Sequence, residues 1–278
     1  MSKKVSQIRG IHARNDYNYT TEDWNLLDII KPEWIKTMSH TKPINFDTIK
    51  RRYNATIVTR LYHSGFNEHS IIPPNEYIDW AISEVMPNLS PYCDVWQIHN
   101  EPNHWGKFEF PGTAQQFNDW YMQVISALRV HYPDAIFVFP GLAVPHDDIN
   151  YLVSCREAVE ASDVLGAHSY WQNPTYSEYN HLSPNWGLRF EQYHNLFPDK
   201  PILILEAGNS NHQNGYQVRE DMIAKEFVEW FNKLTEYDYI QGAMPFIASS
   251  PDPNWENFAW MAMDGRKKQV AYDVGNLA

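Results

Sequence analysis

Two periodicities alternate along the chain. Short apolar runs rich in β-branched and aromatic residues recur at roughly thirty-residue spacing, and between them apolar positions return with the period of a helix. The first run, 7–13, puts Gly10, His12 and Arg14 on one face and ends in the polar turn Arg14-Asn15-Asp16. Thr21 is placed to cap a helix through Trp24, Leu27 and Ile30, with Glu22 and Asp23 suited to its first turn. Strands follow at 34–39 and, most plainly from its β-branched content, 55–62, with a short polar helix at 45–54 between them. Helix 73–86 carries Tyr77, Trp80, Ala81 and Val85 on one stripe. Helix 113–131 carries Phe117, Trp120, Tyr121, Val124 and Leu128, and Pro133 stops it. A strand from Asp94 to Glu101 separates these two helices. Further strands at 135–142, 164–171, 201–206 and 239–247 alternate with helices at 149–161 and 188–197 and around Ile223, Phe227, Trp230, Phe231 and Leu234. The last helix, 265–278, is short and polar at its start.

Eight strands alternating with helices predict an α/β fold, a (β/α)8 TIM barrel, with residues 1–278 as one catalytic domain. No stretch reads as a linker. A doubly wound sheet is the alternative, but no Gly-x-Gly-x-x-Gly follows the first strand.

The fourth and seventh strands stand out because each ends in a glutamate. In Val95-Trp96-Gln97-Ile98-His99-Asn100-Glu101-Pro102, alternation aligns Val95, Gln97, His99 and Glu101, and Pro102 is expected to stop the ladder and hold Glu101 extended. The apolar run 201–205 leads to Glu206 and then to an expected glycine turn at Gly208. The working face of a barrel is the carboxyl end of its strands. The polar residues gathered there are His12, Arg14, His40, Arg60, His63, Asn100, Glu101, His168, Tyr170 and Glu206, with Phe246 and Ser249 after strand eight and Trp255 and Trp260 beyond. Two facing carboxylates can break a glycosidic bond, one as acid and one as nucleophile, and a separation of about 5 to 5.5 Å gives a covalent intermediate and retention. A guanidinium, from Arg60 or Arg14, is expected to keep the nucleophile ionised, while burial and negative charge keep a proton on the acid.

Composition narrows the partners. A hydrophobic fraction of 43% supports a large core, and 11 Trp either line a sugar-binding cleft or fill helix faces. Loops 63–74, 104–113 and 172–185 hold Trp105, Phe108, Phe110, Tyr176 and Tyr179, next to Trp171, which suits an open cleft and endo action on a carbohydrate. A net charge of −12 argues against nucleic acid and anionic membrane as partners. No apolar leader follows Met1, and no run nears the roughly 18 apolar residues of a membrane span. Cys93 and Cys155 imply no disulfide framework, so a cytoplasmic location is expected; phage-type or non-classical release would leave no trace. His99 with His104 and His63 with His69 lack metal-ligand spacing, no His-Glu-x-x-His occurs, and neither metal nor cofactor is expected. No Gly-x-Ser-x-Gly elbow marks a serine hydrolase. Nothing in the sequence speaks to oligomeric state.

Asn100-Glu101-Pro102 after strand four and Glu206 after strand seven resemble the signature of the clan A retaining glycoside hydrolases, a superfamily of cellulase-, mannanase- and β-galactosidase-type TIM barrels. The resemblance implies that Glu101 is the acid/base, Glu206 the nucleophile and Asn100 the amide on the sugar 2-hydroxyl. His168-Ser169-Tyr170 resembles the clan's His-x-Tyr on strand six, whose histidine lines the sugar site and whose tyrosine bonds the nucleophile. Arg60 resembles the arginine that steadies the nucleophile. Many members carry a Trp after strand eight where this chain has Phe246, so either Trp255 or Trp260 floors the subsite or the subsite differs, and the turn from His12 to Asp16 matches no substrate-defining motif. The expected activity is that of a retaining β-glycosidase on a poly- or oligosaccharide, with exo action, transglycosylation or a non-catalytic carbohydrate-binding barrel as alternatives.

Overall fold

Each apolar run becomes a strand, and all eight pair in parallel in sequence order: β1 (Gly10–His12), β2 (Trp34–Met38), β3 (Thr56–Leu61), β4 (Val95–Ile98), β5 (Ile136–Phe139), β6 (Val164–Trp171), β7 (Ile202–Asn209) and β8 (Ile240–Ala243). A parallel bridge from Arg9 to Ala243, and the His12 N–H donating to the Pro245 carbonyl, bring β8 back alongside β1. The computed structural model describes residues 3–106, 108–172, 177–211 and 218–278. Among them no helix is long and apolar enough to cross a membrane.

Strand alternation builds two apolar layers. Val58, Val95, Val138, Val164, Leu203, Leu205 and Met244 pack inside the barrel. The opposite faces, among them Ile11, Ile35, Ile57, Trp96, Ile98, Phe137, Phe139, Leu165 and Ile204, pack outward in one cluster with the helices. Burying each such side chain stabilises the fold by roughly 1.5–3 kcal/mol. The inner layer also forms the floor beneath the site.

The structure departs from the sequence reading at several element ends. Residues 7–13 are not one strand: a helix Val5–Ile8 comes first, and Arg9 is buried with its guanidinium on the carbonyls of Lys31, Val274 and Leu277. Thr20, not Thr21, caps the next helix, because its side chain accepts the Asp23 N–H while the Asp23 carboxylate accepts the Thr20 N–H. The helix expected over 73–86 continues to Leu89 through a wider π turn at Ala81–Val85. Pro87 has no N–H for the carbonyl four residues back, and the wider turn lies just before it.

The largest departure is at the end of β4. His99 and Glu101 both adopt left-handed backbone, with φ of 70° and 41°, so Glu101 is not extended and alternation ends at Ile98. The His99 ring turns outward against Phe66, Phe117 and Trp120 at centroid distances of 4.5, 5.3 and 5.7 Å, away from the inner face that alternation assigned to it. Long-range hydrogen bonding overrides the local influence of Pro102: the Glu101 N–H donates to the Gly141 carbonyl at 3.0 Å, and the His104 N–H donates to the Glu101 carbonyl at 2.9 Å. Non-glycine residues at positive φ are uncommon and cost of order 1–3 kcal/mol each.

Candidate active site

Glu206 owes its direction to an extra residue. Along β7, Leu203 and Leu205 point into the barrel and Ile204 out, so strict alternation would send Glu206 outward to the helices. The register with β6 steps from Ala167↔Ile204 to His168↔Glu206, leaving Leu205 unpaired as a bulge. Bulges re-aim side chains, and this one turns Glu206 inward beside Leu205. β7 does not end there. Tyr170↔Gly208 and Trp171↔Asn209 continue the ladder, so Gly208 is strand rather than the expected turn. A Cβ on Gly208 would come within 2.9 Å of the Phe258 ring.

The groups around Glu206 converge from several strands. Lys36 on β2 donates from Nζ to Glu206 Oε1 at 2.8 Å, and its side chain is fully buried. Tyr170 on β6 donates its hydroxyl to Glu206 Oε2 at 2.8 Å. His168, also on β6, holds Nδ1 2.8 Å from Glu101 Oε1 and 3.9 Å from Glu206 Oε2. With the carboxylate ionised, the ring N–H is the donor to Glu101. One oxygen of Glu101, one oxygen of Glu206 and a His168 ring nitrogen all lie within 4.8 Å of one another. This trio has the donors for a metal ion, but Lys36 already supplies Glu206 with a cation and His168 is bonded to Glu101, an arrangement suited to moving protons.

Burial and charge set the two carboxylates apart. Burial alone would raise the Glu206 pKa, but Lys36 first, and His168 after it, hold it well below the usual carboxylate range. Burial lowers the Lys36 pKa from the usual lysine range, and the Glu206 charge works against that fall. Burial, reinforced by the charges of Glu206 and Glu101, lifts the Tyr170 phenol far above its ordinary value, so it stays a donor. His12 is pushed down to about 3 by burial and by Lys36; its Nδ1–H donates to the Ala13 carbonyl, and its ring meets Phe246 edge-on at 5.3 Å. The Glu101 side chain is 24% exposed against 9% for Glu206. Asn100 is buried, and Gln97 Nε2 holds its Oδ1 at 3.0 Å.

Neither expected guanidinium bonds a glutamate of the pair. Arg60 is ion-paired with Glu109 and lies over the Tyr62 ring, acting on Glu206 and Glu101 only through space. Arg14 bonds Asp16 at 2.5 Å and lies 3.8 Å from Asp23, bracing the cap of the helix that follows β1. The cation on Glu206 is the ammonium of Lys36, which sequence reasoning missed. The available signal was a lysine at an inward position of the strand Trp34-Ile35-Lys36-Thr37-Met38, level with His12 in the register.

Aromatic residues divide between cleft and core. A cavity of about 390 Å³ opens over Glu101, Glu206 and Tyr170, with Phe246, Trp255, Phe258, Trp105 and Trp186 in its walls. Trp186 and Phe258 had not been anticipated. Trp171 and Trp260, expected on substrate, are fully buried instead. Trp171 follows the inward Tyr170, so it points outward, donates to Glu226 Oε2 at 2.7 Å and packs on Phe227 and Trp230. Trp260 packs against Phe227 at 5.3 Å. Phe110 is likewise core, against His99 and Phe117, while Tyr179 meets Trp186 edge-on at 5.2 Å. Trp105 and Phe108 are exposed, and Tyr176 lies outside the described residues. His40 lines a second hollow of about 540 Å³ above β1 to β3, with Tyr17, Tyr62, Trp80 and Asp16.

No family model and no curated protein matches the sequence. Solved structures do match. An endo-β-1,3-glucanase of family GH128, subgroup II, from Pseudomonas viridiflava is 14% identical, covers 98% of each chain and gives a TM-score of 0.65. A GH128 subgroup I endo-β-1,3-glucanase from Amycolatopsis mediterranei, in complex with laminarihexaose, is 11% identical over 98% of this chain and all of its own, with a TM-score of 0.69. A monomeric β-xylosidase from Caulobacter crescentus is 14% identical over 99% of this chain and 69% of its own, with a TM-score of 0.65. The likeness establishes the fold: essentially the whole chain shares the TIM-barrel architecture of these glycoside hydrolases.

Proposed function

We propose that the protein is a retaining β-glycosidase that cleaves within a β-linked poly- or oligosaccharide, with Glu206 as nucleophile and Glu101 as acid/base. The observation that carries this reading is the proximity of the pair, whose nearest approach is within 4.8 Å. That supports retention, for which carboxyl groups sit about 5–5.5 Å apart, over inversion, which needs about 6.5–9.5 Å to seat a water.

The surroundings support the division of labour. Glu206 Oε1 is bound by a fully buried lysine and Oε2 by the Tyr170 hydroxyl, which lines the cavity; Oε2, on that side, is assigned as the attacking atom. In the first step the bond from Oε2 to the anomeric carbon forms as the glycosidic C–O bond breaks, and Glu101 gives its proton to the departing oxygen. In the second step water attacks the same carbon and gives a proton to Glu101. The bond to Oε2 breaks, returning the electron pair to Glu206. Asn100, fixed by Gln97, is assigned to the sugar 2-hydroxyl, and the aromatic walls of the cavity stack on apolar sugar faces. The second hollow, above β1 to β3, offers further subsites and favours endo action. The activity and ligand of the GH128 neighbours put β-1,3-glucans first among the substrates to try.

The test is a panel of laminarin, cellulose-type and mixed-linkage glucans, mannan, xylan and aryl β-glycosides, with products followed by proton NMR. The β-anomer should appear first and then mutarotate. Glu206→Gly with azide should yield the α-glycosyl azide, and Glu101→Ala with an activated aryl glycoside the β-azide. Initial release of the α-anomer would overturn retention, and the opposite pair of azides would reverse the roles of the glutamates.

A further inference from the structure

Glu206 lines the cavity, whereas Lys36, its partner at 2.8 Å, is fully buried and does not. Lys36 is inward on β2, with His12 and Val58 as its strand neighbours, and its side chain is fully buried. The groups that face Glu206 are His12 from β1, Lys36 from β2, Arg60 from β3, Glu101 beyond β4, and His168 and Tyr170 from β6. Of these, His12 is neutral at ordinary pH, Tyr170 keeps its proton, and Arg60 is spent on Glu109. His168 bonds Glu101 and stands 3.9 Å from Glu206. The cation in direct contact with Glu206 is Lys36.

We propose that Lys36 is the positioning residue of the nucleophile: it keeps Glu206 ionised and fixed through Oε1, and its buried charge drives Glu206 off the sugar in the second half-reaction. This deepens the retaining reading and rests on it for the second clause. While Glu206 is a carboxylate, the buried ammonium is neutralised at 2.8 Å. Once Oε2 is esterified to the anomeric carbon, Oε1 becomes a neutral carbonyl oxygen and the buried ammonium loses its contact counter-ion, the Glu101 carboxylate acting on it only through space. A buried unpaired charge is strongly unfavourable, so the intermediate is raised relative to the state in which the C–O bond has broken and the carboxylate has returned. Lys36 therefore favours water's attack over accumulation of the ester.

Two measurements test this. The first needs no substrate: the protein is labelled with 13C at the glutamate carboxyls, the Glu206 resonance is identified with Glu206→Gln, and its shift is followed against pH. In the wild type it should remain ionised below the range where exposed carboxylates titrate. In Lys36→Met, with a native near-ultraviolet circular dichroism spectrum, it should titrate higher by about two pH units or more, since burial is then opposed only by the more distant His168 and Arg60. Lys36→Arg should restore the low value. Where Lys36→Met does not fold, Lys36→Gln takes its place, and where neither folds the wild-type curve decides, an inflection in the ordinary carboxylate range overturning the proposal. An unmoved Glu206 in a folded Lys36→Met also overturns it.

The second measurement is rapid mixing with an aryl β-glycoside above the variant's acid limb. Lys36→Met should show a burst of leaving group followed by a steady rate about tenfold below the burst, whereas a lysine that only supports the fold would slow both phases alike and leave the acid limb in place. A shifted Glu206 titration in a protein that hydrolyses no glycoside would uphold the first clause and discard the glycosidase reading together with the second.

Discussion

The His168 ring reaches Glu101 because residue 141 has no side chain. His168 Nδ1 is 2.8 Å from Glu101 Oε1, and a Cβ built on Gly141 would fall 2.1 Å from His168 Cδ2 and 2.3 Å from Nε2. The Gly141 carbonyl also accepts the Glu101 N–H that holds the left-handed turn. Gly141→Ala should push the ring off Glu101 while leaving the outer helices untouched. A displacement near 1 Å costs on the order of 10²-fold in turnover, so kcat/KM should fall by about that factor while thermal stability changes modestly. Turnover within twofold of wild type in the folded variant would show that the His168–Glu101 bond does not position the acid.

Two histidines make the fold sensitive to acid. His12 is pushed down to about 3 and His99 to about 4, in both cases by burial first. Between those values and the unfolded pKa near 6.5, the unfolded chain binds protons that the native state does not, so stability rises with pH across this window and is lost as pH falls through it. Glu206, with its pKa depressed in the fold, adds a loss of the same sign below the ordinary carboxylate range. Each histidine should cost about 2 kcal/mol between pH 7 and pH 5. Urea midpoints at the two pH values measure this. His99→Asn, which tolerates left-handed backbone, should be less stable at pH 7 yet show a distinctly smaller drop at pH 5. An equal drop in wild type and variant would take His99 out of the acid response.

What could be read in advance followed from local physics. The eight strands were legible because burial on both faces demands continuous apolar runs, and Glu101, Glu206 and the His-x-Tyr pair stood at or near the ends of such runs. What escaped was set by contacts distant in sequence. Lys36 meets a partner 170 residues away, and lysine is almost never fully buried unless paired, so nothing local marked it as interior. Arg60 looked free for the nucleophile, but Glu109, 49 residues on, takes it. The bulge at Leu205 re-aims Glu206 without any glycine or proline to announce it. The bend at Glu101 depends on the Gly141 carbonyl, two residues beyond the end of β5, which the rule for a residue before proline does not include.

Trp171 and Trp255 should respond in opposite ways to mutation, because one was expected on substrate and lies in the core while the other lines the cavity. Trp171 Nε1 and Asn209 Nδ2 share Glu226 Oε2 at 2.7 and 2.8 Å, and burial raises the pKa of Glu226. Trp171→Phe keeps most of the packing on Phe227 and Trp230 but removes one donor from this buried group. It should lower stability by about 1.5–3 kcal/mol, the range for a hydrogen bond to a charged group, with KM nearly unchanged. Trp255 meets Phe246 edge-on at 5.3 Å at the cavity wall, outside the main core cluster. Trp255→Ala should therefore leave the unfolding free energy from urea denaturation within about 1 kcal/mol of wild type, as partly exposed substitutions do, and raise KM for long oligosaccharides by roughly tenfold as a stacking face is lost. Chemical denaturation and steady-state kinetics on the same two variants decide the matter. A KM effect at Trp171 without loss of stability would return that residue to the cleft, and a large stability loss at Trp255 with unchanged KM would remove the wall from substrate binding.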